Sequence, residues 1–215
     1  MIRYKLTDEN MQTYGGFQWK LGKVYEIDID LQNKNMPLCF SSWFHVYSHP
    51  LVAVLMNPIH AKFTNPRLFK CSCSGYHQTD TGLKEGFTKV KLLKELKIPE
   101  ITLTQRVAFG ILCAKKVYKE KEWNEWADKW LKGKDRSWDV AYDVYFATNA
   151  ACSATNAACS ATGAACSAAG VAYSGTYAVY CATNAACSVA GAAWSATHYN
   201  NNINLIALAK RALKY

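Results

Sequence analysis

The chain is predicted to be an α+β N-terminal domain followed by an all-α, Ala-rich heptad-repeat helical region, built as tightly packed helices or a coiled coil. Three observations predict it. Short runs with period-two alternation and turn residues fill residues 1–100. A helical hydrophobic period takes over from residue 101. A seven-residue unit, plainest as Thr148-Asn149-Ala150-Ala151-Cys152-Ser153-Ala154, recurs through residues 145–199. The 215 residues, half of them hydrophobic, suffice for two small domains, 1–100 and 101–215.

The elements follow in order. Val24 to Leu31 alternates, with Tyr25, Ile27, Ile29 and Leu31 on one face and Glu26, Asp28 and Asp30 on the other, the pattern of a half-buried strand. Gly15-Gly16 and the segment from Asn33 to Pro37 are turn signals around it. Leu51 to Met56, an apolar run closed by Asn57-Pro58, and Thr88 to Leu93 are further strand candidates. Thr102 and Gln105 have capping-box spacing for a helix carrying Val107, Ile111, Ala114 and Tyr118. Trp123, Trp126 and Trp130 fall on one face of the next helix, where core packing is the plain reading and a base-stacking platform the sharper one. Gly133 sits at its C-terminus, and Ser137 suits the cap of the helix that runs into the repeat.

Seven residues make two helical turns at 3.5 residues per turn. Ala154, Ala158, Ala161, Ala165, Ala168 and Ala172 then lie on one seam of small side chains, which lets two helix backbones approach closely. A ridge of larger residues, Cys152, Cys159, Cys166, Tyr173, Tyr180, Cys187 and Trp194, recurs every seventh position and points to a second neighbour. No Lys, Arg, Asp or Glu occurs from Val144 to Ala209, so the tract is expected to pack against itself or another copy. One helix of roughly 80 Å, at ~1.5 Å per residue, and a folded-back set of shorter helices both fit the period. Asn200-Asn201-Asn202 ends the repeat, and Ile203 to Leu213 resumes a helical pattern.

The net charge is +9, and the first 143 residues hold 22 Lys and Arg against all 16 Asp and Glu. That balance suits acidic partners, but the lysines form no dense block, so nucleic acid is a partner considered but not favoured. Nine Cys without a leader read as reduced thiols in a cytoplasm, the host cell's if the protein is phage-encoded. Small polar residues interrupt the uncharged tract too often for a membrane span. Cys71-Ser72-Cys73 with His77 is the tightest Cys/His cluster, but one residue between the thiols is off-pattern for zinc. No phosphate-cradling loop, nucleophile elbow or zinc-protease helix occurs, and neither a catalytic residue, a cofactor nor a metal is assigned.

Several stretches are familiar. Gly16-Phe17-Gln18-Trp19, Gly22-Lys23 and Tyr25, Leu38-Cys39 and Phe44-His45 resemble the opening of a family of uncharacterised phage and prophage proteins. That family's pattern there is roughly Gly-Phe-Gln, Gly-Lys-x-Tyr, and a Cys followed by Gly-Phe-His-x-Cys. Trp43 stands here in place of the Gly and Tyr47 in place of the second Cys, so a paired-Cys role does not carry over. Leu55-Met56-Asn57-Pro58-Ile59, the segment from Gln105 to Ala114, and Trp126-Ala127 with Trp130 to Arg136 are similar to the same family, in which an Ala-rich heptad tail follows. The second half is also similar to candidate bacterial immunity proteins with Ala-repeat tails. The resemblance implies a two-part, phage-related protein.

The function expected is non-enzymatic: binding and occlusion of a host or phage protein, of counter-defence or immunity type, by a homo-oligomer that packs through its helical part. Trp43, His45, Tyr173, Tyr180 and Trp194 are the expected interaction residues. Two alternatives stand. One is nucleotide or nucleic-acid binding by the basic first domain. The other is a divergent ADP-ribosyltransferase-like enzyme, which the Phe44-His45 pair resembles at the nicotinamide pocket.

Overall fold

In a computed structural model the structure describes residues 1–28, 38, 42–137, 139–144, 167–169 and 182–215. The chain divides into two compact units, Met1–Pro99 and Glu100–Tyr215. The first is an antiparallel sheet with one helix; the described part of the second is helical, so the chain combines an N-terminal sheet with helices.

The first unit is organised by a long hairpin. Strand β6 (Arg67–Asp80) turns at Thr81 and Gly82, both with positive φ, into β7 (Lys84–Leu96). Before it come β1 (Ile2–Thr7), the short pair β2 (Gln12–Thr13) and β3 (Phe17–Gln18), β4 (Val24–Glu26) and β5 (Phe44–Val46). β1 pairs with β6, β6 with β7, and β7 with β4 along one half and β5 along the other, all antiparallel. Just past β5, Tyr47 exchanges two backbone hydrogen bonds with Tyr4, at 2.9 and 2.7 Å. The path β1–β6–β7–β5–β1 is therefore closed, a small barrel-like sheet whose strands satisfy one another's backbone groups. Two register shifts, at Lys70/Cys71 and Ser74/His77, bend the hairpin to make this closure. Trp19, Phe44, Val46, Phe69, Cys71, Cys73, Phe87, Val90 and Leu92 form the core it encloses, with Met11, Tyr25 and Ile27 against it.

The strand at Val24 is shorter than the alternation predicts, ending at Glu26, although Tyr25 and Ile27 do turn inward; residues 29–31 lie outside the described residues. Leu51 to Met56 is not a strand but lies in helix α1 (Pro50–His60). Six apolar residues alone do not separate strand from buried helix; the local chemistry does. Pro50 occupies the first turn, where its missing N–H costs nothing, and Nδ1 of His49 accepts from the N–H of Leu51 at 3.2 Å. α1 packs on β1, where the paired Leu6 and Leu68 are buried on the face opposite the enclosed core.

In the second unit α2 (Leu103–Val117) opens on a complete capping box between Thr102 and Gln105. α3 (Lys121–Leu131) buries Trp123, Trp126 and Trp130, which makes the Trp stripe core and not a platform. α4 (Ala182–Tyr199) stops at Asn200, and α5 (Leu205–Ala212) starts on an Asn204 cap. α2 packs against α4 and α5. Gly110 of α2 is the point of closest approach: a Cβ placed there would lie 3.7 Å from Ala192 Cβ and Val189 Cα and 3.9 Å from Ala168 Cα. Small residues bring the backbones together here, within one chain.

Candidate functional site

Three groups of side chains in the first unit carry charge or reactive chemistry. The first lies at the N-terminal end of β1. Arg3 Nε sits 2.9 and 2.8 Å from the two Glu85 oxygens, and His77 Nε2 sits 2.7 Å from Oε2 of the same carboxylate. The His77 ring stacks on Phe87 at 4.4 Å between centroids. Glu85 is buried and can only accept, so both neighbours donate to it and the three groups satisfy one another. Next to them Lys5 is buried, its ammonium donating to the His45 carbonyl at 2.8 Å and lying 4.6 Å from the Trp19 ring centroid. Burial lowers its pKa from 10.5 to about 8, opposed by the nearby Cys71 and Cys73. The two thiols, on one face of β6, are 3.6 Å apart. Their mutual hydrogen bond pushes Cys71 up and Cys73 down, so Cys73 is the first to ionise.

The second group surrounds β5. His45 Nε2 donates to the Leu38 carbonyl. Burial lowers its pKa to about 4, against that hydrogen bond and with help from the Lys5 and Lys84 charges. Burial also lowers His60 to about 3, aided by Lys84 and His45, while its ring stacks on Tyr47 and its buried Nδ1 has no partner. Both imidazoles are neutral at physiological pH. Trp43 and Leu38 close over Gly86, where a Cβ would lie 3.0 Å from Trp43 Cβ and 2.4 Å from Leu38 Cδ1.

The third group is a surface. Residues directly opposite one another in an antiparallel pair share a face, as do alternate residues of one strand. The register pairs Lys70 with Lys94 and Tyr4, Ser72 with Lys91 and Ile2, Ser74 with Lys89, and, from β4, Val24 with Lys91 and Glu26 with Lys89. Lys70, Ser72 and Ser74 alternate along β6. Thus Lys70, Lys89, Lys91 and Lys94 stand together on the outer face, all of them exposed or half-buried. Lys89 pairs with Glu26 at 2.8 Å; among the described residues no carboxylate pairs with Lys70, Lys91 or Lys94. Ile2 and Val24, 45% and 47% exposed, flank the row, and α1 covers the same face only further along, where Leu6 and Leu68 are buried and Tyr4 meets the His49 ring. Beyond its Glu26 end lies a groove lined by Glu26, Ile27, Asp28, Gly75, Tyr76 and Thr88.

Of the residues singled out from sequence, Trp43 is buried and His45 half-buried, both on the β5 side of the barrel. Trp194 of α4 is 43% exposed and its ring meets that of His198 at a 33° tilt, 4.2 Å between centroids. Ala168 is fully buried, as are Val189, Ala193 and Ala196 further along the seam. Tyr173, Tyr180, Ala154, Ala158, Ala161, Ala165 and Ala172 lie outside the described residues. Cys71, Cys73 and His77 do not converge, because His77 turns to Glu85; among the described residues no three His, Cys, Asp or Glu side chains are placed to hold a metal ion. Nor is any described helix long and apolar enough to cross a membrane. Sequence reasoning missed the lysine row because its members come from two strands and meet only through the register; the Lys89-Val90-Lys91 alternation was the one local sign.

No curated protein and no solved structure matches the chain. Residues 1–104, which include the whole sheet, match the family model described as Domain of unknown function (DUF7666).

Proposed function

We propose that the chain is a non-enzymatic binding protein whose first unit engages single-stranded nucleic acid through the outer lysine face of its sheet. The observation that carries this reading is the register that gathers Lys70, Lys89, Lys91 and Lys94 with one carboxylate, Glu26, onto an open face. Same-face residues of a strand are roughly 6.7 Å apart and neighbouring strands about 4.8 Å. That is a lattice of ammonium groups suited to an extended phosphodiester chain. The net charge of +9 steers such a ligand from a distance. The Arg3–Glu85–His77 group, centred on the buried Glu85 carboxylate, serves the fold instead, because its charges are spent on one another. In the phage setting that the resemblance implies, occlusion of phage or host nucleic acid takes the place of occlusion of a host protein, and self-association through residues 145–199 multiplies the face.

The test is fluorescence anisotropy with a labelled single-stranded 12-mer, on the wild type and on the variant with Lys70, Lys89, Lys91 and Lys94 all changed to Gln. With Lys89 held by Glu26, Lys70, Lys91 and Lys94 neutralise three phosphates, which gives a log K against log salt slope of about −2, at ~0.7 per contact on a single strand. The quadruple variant is expected to lose at least tenfold in affinity and most of that slope. Equal binding by both proteins refutes the assignment. Binding of an acidic peptide but of no oligonucleotide would move the face to a protein partner.

A further inference from the structure

We propose that the groove beside the lysine face is a base pocket that takes guanine from the bound single strand; this rests on the nucleic-acid reading above. The groove and the face are continuous. Glu26 and Ser74 belong to the last row of the face, paired through Lys89, while Glu26 and the Gly75-Tyr76 step that follows Ser74 line the groove. The step is a bulge held in place from β7 and from the chain after β4. Gly75 has φ +81° and leaves no room for a side chain, since a Cβ would stand 2.2 Å from Thr88 Oγ1. The Tyr76 N–H donates to that hydroxyl at 3.0 Å, and the Ile27 N–H donates to the Thr88 carbonyl at 2.8 Å. The Tyr76 ring is 44% exposed at the groove.

The chemistry of the lining selects the ligand. Lysines make up the face, whereas the carboxylates of Glu26 and Asp28 are part of the groove's lining, together with Tyr76 and Ile27. A phosphate is drawn to the first and repelled by the second, so the backbone stays over the lysines and the base enters the groove. An exposed Tyr ring offers a stacking surface for an unpaired base. A carboxylate is acceptor-only and takes two parallel donors best. Glu26 is occupied by Lys89, which leaves Asp28, an exposed carboxylate, as the reader. Guanine presents N1–H and the N2 amino group side by side on one edge; adenine, cytosine and thymine offer no such pair. A base inside a duplex cannot present that edge, so the pocket also sets single strands apart from double strands.

The experiment compares labelled oligothymidine 12-mers carrying one central guanine or one central adenine, with RNA versions of the same sequences as a second arm. Wild type is expected to bind the guanine 12-mer at least fivefold more tightly. Asp28→Asn is expected to abolish the discrimination with the salt slope unchanged, and Tyr76→Ala to weaken both 12-mers. Equal wild-type affinity for guanine and adenine overturns the pocket while salt-dependent binding through the lysines stands; loss of all oligonucleotide binding sinks both. Discrimination that survives Asp28→Asn also overturns the assignment.

Discussion

Lys5→Met tests the physical account of the barrel interior. The amine of Lys5 is buried, and burial holds its pKa at about 8 against 10.5 in the unfolded chain. At about 1.36 kcal/mol per unit, a charged amine in this place destabilises the folded state by about 3 kcal/mol. The sign follows from proton counting. Below pH 8 both states hold the proton and the penalty is complete. Between pH 8 and 10.5 the unfolded chain keeps a proton that the folded one releases, so stability rises with pH and the penalty disappears. Methionine fills similar space without the charge but forfeits the bond to the His45 carbonyl, worth about 1 kcal/mol. The variant should therefore be more stable than wild type at pH 7 by about 2 kcal/mol. At pH 9.5 that advantage should have vanished. The raised thiol of Cys113 erodes stability above about pH 9 in both proteins alike, and making the comparison in a Cys71→Ala, Cys73→Ala background removes the two thiols coupled to the Lys5 charge, so the difference isolates Lys5. Urea unfolding of both proteins at the two pH values, under reducing conditions and followed by tryptophan fluorescence, measures it. A difference unchanged between pH 7 and pH 9.5 would refute the buried-charge argument.

Other outcomes follow from the same packing. Glu85→Gln leaves Arg3 and His77 facing a neutral amide and should cost about 2–3 kcal/mol in urea unfolding, discounted because both partners keep some solvent. Gly86→Ala drives a methyl into Trp43 and Leu38 and should cost about 1–3 kcal/mol by the same assay. Ala168→Leu, against Gly110 of α2, should lower the thermal midpoint through a similar overpacking cost of about 1–3 kcal/mol; an unchanged midpoint would mean that this seam position has room to spare.

Local signals in the sequence read well where local chemistry decides the outcome. The Thr102–Gln105 capping box, the buried face of Trp123, Trp126 and Trp130, and the helix end at Asn200 were all legible. α1 was not, because Leu51 to Met56 is apolar at every position and so has no period; only Pro50 and the His49 cap mark it as a helix. The candidate site was least legible of all. Lys70, Lys89, Lys91 and Lys94 look thinly spread along the chain, and it is the cross-strand register of β6 and β7, with its two bulges, that makes neighbours of them. Charge density in the sequence is therefore a poor guide to charge density on a sheet, where residues about 20 apart stand one strand spacing from each other.

The most direct measurement is a lysine footprint. Wild-type protein, free and saturated with a guanine-containing single-stranded 12-mer, is treated with a lysine-modifying reagent and mapped by mass spectrometry. The account predicts that Lys70, Lys89, Lys91 and Lys94 become protected together, while Lys115, Lys121 and Lys129 of the second unit react as before. Protection confined to the second unit, or four face lysines as reactive with the oligonucleotide as without it, would contradict it.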